Sequence, residues 1–271
     1  MDDDDHMSMW PEKPGMRVHS WAVHKVVPPL IKGMTNLDDR YKELMLWQLA
    51  WAVSDRHADR CEWQAAEYSY RHAMTPGGWK EQDAYDEANR FIRDSLRTSD
   101  QWWKTFLGAP YDSRQETEAL KEMMNHLGLA MHCMQDSTSP AHNYMKGGKH
   151  HFIVYEGTDG DSCGPIWESV GTELATHVAK EAFWPGDGSN LFKATELAFT
   201  YWRDGGTRPQ DFFTGHGVDA HPGILIKPVG NNPVGRDPQN FDRAPSVPRK
   251  NPPPPKRNPP KITPAVKRPR P

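Results

Sequence analysis

His132 and Asp136 stand four residues apart in the stretch Leu127-Gly128-Leu129-Ala130-Met131-His132-Cys133-Met134-Gln135-Asp136-Ser137-Thr138-Ser139-Pro140-Ala141-His142. On a helix that spacing puts both side chains one turn apart on one face, where an imidazole nitrogen and a carboxylate oxygen can grip the same ion. Gly128, one turn before His132, removes a side chain from roughly the same face. Pro140 stops the helix, so that His142 can fold back from a loop towards the pair. Nitrogen and oxygen donors of this kind are the usual ligands of zinc, and the chain carries no Cys-x-x-Cys to suggest a closed structural site instead. Taken singly, each residue is explained well enough as a core or loop histidine; three convergent donors are not.

The rest of the composition sets bounds on this chemistry. The chain has 271 residues, enough for one large domain or two small ones, with a polar balance typical of a soluble globular protein. No apolar run approaches the roughly 20 residues that span a bilayer. Residues 1–9 contain Met1-Asp2-Asp3-Asp4-Asp5-His6-Met7, which reads as a tag remnant or leader with no hydrophobic signal core. Cys61, Cys133 and Cys163 allow one disulfide at most and leave the redox compartment open. The segment from Arg249 to Pro271 holds eight Lys or Arg, nine Pro and no acid, so the tail is basic and the body acidic. An acidic body argues against a broad nucleic-acid groove. Thirteen His suit metal work, while eleven Trp suit either a helical core or a lipid interface.

Periodicity supplies the elements that would position these donors. A helix is expected from about Met16, carrying His19, Trp21, Val23, Val26 and Val27, with Pro28-Pro29 interrupting or kinking it. Asn36-Leu37-Asp38-Asp39 caps a second helix running through Tyr41, Leu44, Trp47, Leu49, Trp51 and Val53, which delivers Asp55, His57 and Asp59 at its end. Gly77-Gly78 breaks the pattern. Lys80 to about Leu107 forms a scaffold helix with a stripe of Ala84, Ala88, Phe91, Ile92, Leu96, Trp103 and Phe106, and Arg114 to Asp136 forms the helix that ends in the central stretch. Tyr144 to Gly164 is a glycine-rich excursion with one strand-like run, Phe152-Ile153-Val154-Tyr155, suited to a hairpin or flap. Pro165 to Trp184 has good helical character, and Asn190 to Arg203 forms a last helix. The domain plan is a leader at 1–9, a helical domain at 10–204, an irregular extension at 205–248 and a basic, Pro-rich disordered tail at 249–271.

The pattern Leu-Gly-x-x-x-His-x-x-x-Asp-x-x-x-Pro-x-His at Leu127 to His142 resembles the central motif of the zinc-dependent phospholipases C, which include bacterial toxins. Single-strand-specific zinc nucleases share that fold and carry a closely similar motif. The resemblance covers about Trp10 to Arg203 and implies an all-α, multi-helix bundle with a di- or trinuclear zinc site between helices. It also implies that Trp10 and His19 match the family's entry pair, in which a mature N-terminal Trp binds metal through its free amine. Nine residues precede Trp10 here, so that role is conditional on N-terminal processing. The family places a metal-binding Asp, the candidate general base, 12 to 14 residues before a ligand His. Asp59 to His72 is a spacing of 13 and is preferred; Asp55, at 17, is held in reserve.

The family's remaining ligands are a His and an acid one turn apart after such a loop. His151 and Glu156 lie near the expected place, but a β-like run would put them on opposite faces. His177 and Glu181 fall inside the arc of Ile166, Val170, Leu174 and Val178, where two buried polar groups need a partner, and are preferred. One metal would take Asp59, His72, His132 and Asp136, and a second His142, His177 and Glu181. A third would use His19, a bridging Asp136 and, after processing, Trp10.

The resemblance implies a phosphodiester hydrolase with two or three zinc ions per chain. The expected activity is phospholipase C, releasing diacylglycerol and a phosphorylated head group, with Tyr68 and Tyr144 as substrate-binding candidates beside Tyr70 and Tyr155. The expected partner is a phospholipid membrane surface, with no stable nucleic-acid partner, an optional protein partner for the Pro-rich tail and a monomeric state. Analogy suggests a secreted toxin or effector whose native export signal is not visible. The alternatives are a single-strand-specific zinc nuclease, in which an aromatic would stack a base, and a non-catalytic, metal-stabilised helical module.

Overall fold

The computed structural model describes residues 18–35, 37–53, 66–155, 189–205 and 208–219. It is mostly helical. Helix α1 spans Val18–Lys32, α2 Asp39–Ala52, α3 Glu81–Gly108, α4 Arg114–Asp136 and α5 Ser189–Arg203, with a 3-10 turn at Ala66–His72. The ends follow local chemistry. Asp38 caps α2 by accepting from the Arg40 amide at 2.9 Å, and Ser113 caps α4 by accepting from the Glu116 amide at 3.1 Å. Glu116 reaches back to the Asp112 amide, the reciprocal bond of a capping box shifted by one residue.

Helix α4 is the central element, packed against α2, α3 and α5. Its C-terminal half, Leu127 to Asp136, is buried on every face. The expected α3 stripe is borne out, with Ala84, Ala88, Ile92, Leu96 and Phe106 buried and Phe91 and Trp103 packed against the same core. Most of the described tryptophans also pack on this core or beside it, while Trp51 is 40% exposed. No helix among the described residues is long and apolar enough to cross a membrane.

Helix α1 runs through Pro28 and Pro29 without interruption. Pro29 is exposed and Pro28 only half-buried, so the two missing amide bonds fall towards solvent while Val27 and Ile31 stay in the core. The strand-like run is also divided differently from the expectation. β2 (Asn143–Lys146) and β3 (Lys149–Phe152) form an antiparallel hairpin, closed by Gly147 and Gly148 at φ 59° and 76°. Those left-handed values suit a two-residue turn and explain the paired glycines. The chain steps out at Ile153, and β4 (Val154–Tyr155) pairs in parallel with β1 (Thr75–Pro76), tying the hairpin to the segment that follows His72.

Residues 208–219 form a strap across the bundle. Arg208 reaches both carboxylate oxygens of Asp100 at 2.8 Å, and Tyr85 donates to Asp211. The Phe212 amide donates to Asn89, Phe212 and Phe213 are buried, and His216 meets the Ser137 hydroxyl at 2.7 Å. At its end, Asp219 accepts the amides of Asn190 and Leu191 at 3.2 Å and so caps α5 from outside that helix.

A close contact fixes α4 against α2. A Cβ built on Gly128 would lie 2.5 Å from the Ala52 Cβ and 3.0 Å from the Ala52 carbonyl carbon. Gly128→Ala should therefore push the two helices apart and lower stability by about 1–3 kcal/mol, read from denaturant unfolding. The strap generates a second expectation. Burial pushes the imidazoles of His150 and His216 down to about 4 and about 3. The unfolded chain thus binds more protons in acid, and the stability they contribute is full above about pH 6.5 and lost as pH falls through those values. The urea midpoint should fall between pH 6.5 and 4, and fall less in His216→Gln.

Candidate metal centre

Four helical or turn segments deliver five polar side chains to one buried point. α1 contributes His19, the end of the 3-10 turn His72, the last two turns of α4 His132 and Asp136, and the turn before β2 His142. Ser137, Thr138 and Ser139 terminate α4, the first two hydroxyls returning to the Met134 and Gln135 carbonyls. The amides of His142 and Asn143 both donate to the Ser139 carbonyl, which turns the chain back towards the helix. The expected convergence of His132, Asp136 and His142 is found, and His19 and His72 join them.

Asp136 is wholly buried and its two oxygens face different partners. Oδ1 lies 3.3 Å from His19 Nε2, while Oδ2 lies 2.9 Å from His132 Nε2, 3.1 Å from His72 Nδ1 and 3.6 Å from His142 Nδ1. His72 Nδ1 and His132 Nε2 are themselves 3.1 Å apart. Those two nitrogens and Oδ2 make a triangle with sides of about 3 Å. Donors held about 2.0–2.1 Å from a four-coordinate zinc stand about 3.3 Å from one another, so the triangle has the size a zinc-class ion requires. The atoms offered by His19, His132 and Asp136 also lie within 4.8 Å of one another. This buried cluster could hold a metal ion.

Electrostatics point the same way. Burial raises the Asp136 carboxyl, but His132 and His142 beside it, with hydrogen bonds from His132 and His72, pull it well below the usual carboxylate range. The ionised group sits in the last turn of α4, where the helix dipole is itself negative. A buried anion in that position needs positive charge close by, which a cation among the imidazoles would supply.

The histidines are oriented by what their other nitrogens do. His132 Nδ1 lies 3.1 Å from the Val53 carbonyl at the end of α2, which keeps the proton there and Nε2 as the donor atom. His142 Nδ1 donates to the His72 carbonyl at 2.7 Å, so one imidazole braces the backbone of another. Ala73, next to His72, holds φ 50°, a strained conformation for a residue with a Cβ. Its carbonyl accepts from Asn143 at 3.0 Å, which helps to over-determine that turn.

Gln135 supports the cluster and was not singled out by sequence reasoning. Its Oε1 accepts from His19 Nδ1 at 3.0 Å, and its Nε2 donates to Thr195 Oγ1 at 2.9 Å and to the His19 carbonyl at 3.3 Å. One amide thereby fixes the ring and the backbone of His19 and ties both to α5. The sole signal in the sequence is the place of Gln135 within the central stretch, between His132 and Asp136. Cys133 is a buried free thiol pushed well above its ordinary pKa by burial, which leaves it inert.

Other expected site residues fare differently. Tyr70 is a core residue stacked on Trp79. Tyr68 is half-buried with the Arg71 guanidinium 4.8 Å over its ring, and Tyr144 is buried and stacked on His151. His151 pairs with Glu81 at 3.0 Å and stays out of the cluster. Trp10, Asp55, Asp59, Glu156, His177 and Glu181 lie outside the described residues. Comparison of the chain with family models, with curated proteins and with solved structures finds no match.

If Gln135 sets His19 as a ligand, Gln135→Leu should weaken zinc affinity by about 10- to 100-fold, measured by competition with a chromophoric chelator. Unchanged affinity would remove His19 from the ligand set.

Proposed function

We propose that the chain is a zinc-dependent phosphodiester hydrolase, acting as a phospholipase C on glycerophospholipids. The observation that carries the reading is the wholly buried Asp136 carboxylate among four imidazoles, built from the motif that resembles that family. The residues fit the ion: nitrogen and oxygen donors, a carboxylate with two separately engaged oxygens, and rings braced by backbone carbonyls. His72, His132 and Asp136 would hold one zinc, and His19 with the other oxygen of Asp136 a second. His142, with His177 and Glu181, would hold a further zinc. When bound, zinc supplies charge neutralisation at the phosphoryl group and acidifies water towards neutrality.

The chain's own residues do the rest. Asp59, or Asp55 in the alternative register, orients the attacking water and accepts its proton. The water oxygen bonds to phosphorus as the bond from phosphorus to the glycerol oxygen breaks, and that oxygen leaves with a proton as diacylglycerol. Val53 and Gln135 hold the His132 and His19 rings in fixed tautomers, so little reorganisation is needed as charge develops. Tyr68 and Tyr144 are the head-group contacts of this reading. A membrane surface is the substrate-bearing partner, met outside the producing cell.

The test uses one zinc-replete preparation with phosphatidylcholine vesicles, phosphatidylethanolamine vesicles and single-stranded DNA, each with and without chelator. Chelator-sensitive release of diacylglycerol is expected, falling by more than about a hundredfold in His132→Ala. Nucleotide release without lipid cleavage would move the assignment to the nuclease branch. Zinc binding with neither activity, also in a chain beginning at Trp10, would leave a structural metal module.

A further inference from the structure

A second pair of histidines lies outside the Asp136 cluster. His150 on β3 and His216 on the strap are 6% and 8% exposed, with ring centroids 5.3 Å apart. Each ring has one engaged nitrogen and one buried nitrogen without a hydrogen-bond partner. Ser137 Oγ donates to the Met134 carbonyl at 2.7 Å and lies 2.7 Å from His216 Nε2, an arrangement in which Nε2 carries the ring's hydrogen and the hydroxyl accepts it. His216 Nδ1 is then a bare lone pair, and it is buried without a hydrogen-bond partner. His150 engages the backbone at Ser137 and Phe213, while its Nε2 is buried and unpartnered. That ring therefore spends its proton through Nδ1 and also keeps a lone pair.

Two adjacent neutral imidazoles each present an acceptor and no donor, so they cannot satisfy one another. We infer that His150 Nε2 and His216 Nδ1 together bind a divalent d-block cation of the zinc class, at a site separate from the Asp136 cluster. Two imidazoles sharing such an ion at about 2.0–2.1 Å and near-tetrahedral angles have ring centres about 5 Å apart, as these do. The proton on the far nitrogen of each ring points to a backbone carbonyl or a hydroxyl, the arrangement that raises the basicity of a metal-ligating histidine. Burial keeps both rings unprotonated at neutral pH, and the Asp211 carboxylate adds negative charge beside His150. Nitrogen donors select zinc, cobalt, nickel or copper over magnesium and calcium. An ion held here clasps the strap to the hairpin, and through Asp219 it steadies the start of α5.

The experiment counts ions on the full chain. After equilibrium dialysis against zinc, the native chain should hold one more ion than His216→Gln or His150→Gln, all three retaining the ions of the Asp136 cluster. Magnesium in place of zinc should leave no such difference. Equal zinc counts in all three would overturn the site. Should either variant misfold by circular dichroism, nitrogen NMR of the native chain decides. Zinc should shift His150 Nε2 and His216 Nδ1 together from the bare-lone-pair position. Resonances that stay fixed, or that report a water bridging the two rings, would overturn it. The count is independent of any hydrolytic activity, so failure here leaves the phospholipase reading standing, and the reverse also holds.

Discussion

The structure depends on neutralising one carboxylate. Asp136 is ionised although it is fully buried and placed at the negative end of its own helix, two conditions that each disfavour a lone anion. Apolar packing cannot offset such a cost, and among its described partners the charge is met by imidazoles alone. The fold can thus be viewed as a device for bringing His19, His72, His132 and His142 to that point from α1, a 3-10 turn, α4 and a loop. Each donor arrives on a different length of chain, so the site exists only in the assembled bundle.

That dependence runs through the backbone as much as through side chains. The Val53 carbonyl that orients His132 is available because α2 ends beside α4, and α2 can come so close because residue 128 has no side chain. The His72 carbonyl that orients His142 belongs to a turn held by the strained Ala73 and by Asn143. Gln135 extends the same logic to α5 through Thr195. Helix packing and the orientation of the clustered side chains are consequently one constraint.

How legible this was depended on sequence distance. His132, Asp136 and His142 could be read from spacing alone, because a helical turn and a proline stop are local facts. The α3 stripe and the caps at Asp38 and Ser113 follow from equally local chemistry. His19 and His72 entered only through a family resemblance, since no periodicity links residues 113 and 60 positions from His132. Gln135 looks ordinary on a helix, and its partner His19 lies 116 residues away. The strap carries no period at all: isolated ion pairs, two phenylalanines and a borrowed helix cap hold it, none of which has a sequence pattern. Pro28 and Pro29 were expected to interrupt or kink α1; the helix is not interrupted, because the exposure of that face decides whether the lost bonds matter.

The external cap on α5 ties the centre to the order in which the chain is made. His19, His72, His132 and His142 all precede Thr195, which steadies Gln135, and Asp219, which closes the first turn of α5. On the ribosome, the imidazoles emerge before the parts that orient His19. The contacts that orient His19 therefore need chain that is made after every one of the clustered donors. The oriented cluster thus depends on a segment that is made after all five of its donors and contributes none of them.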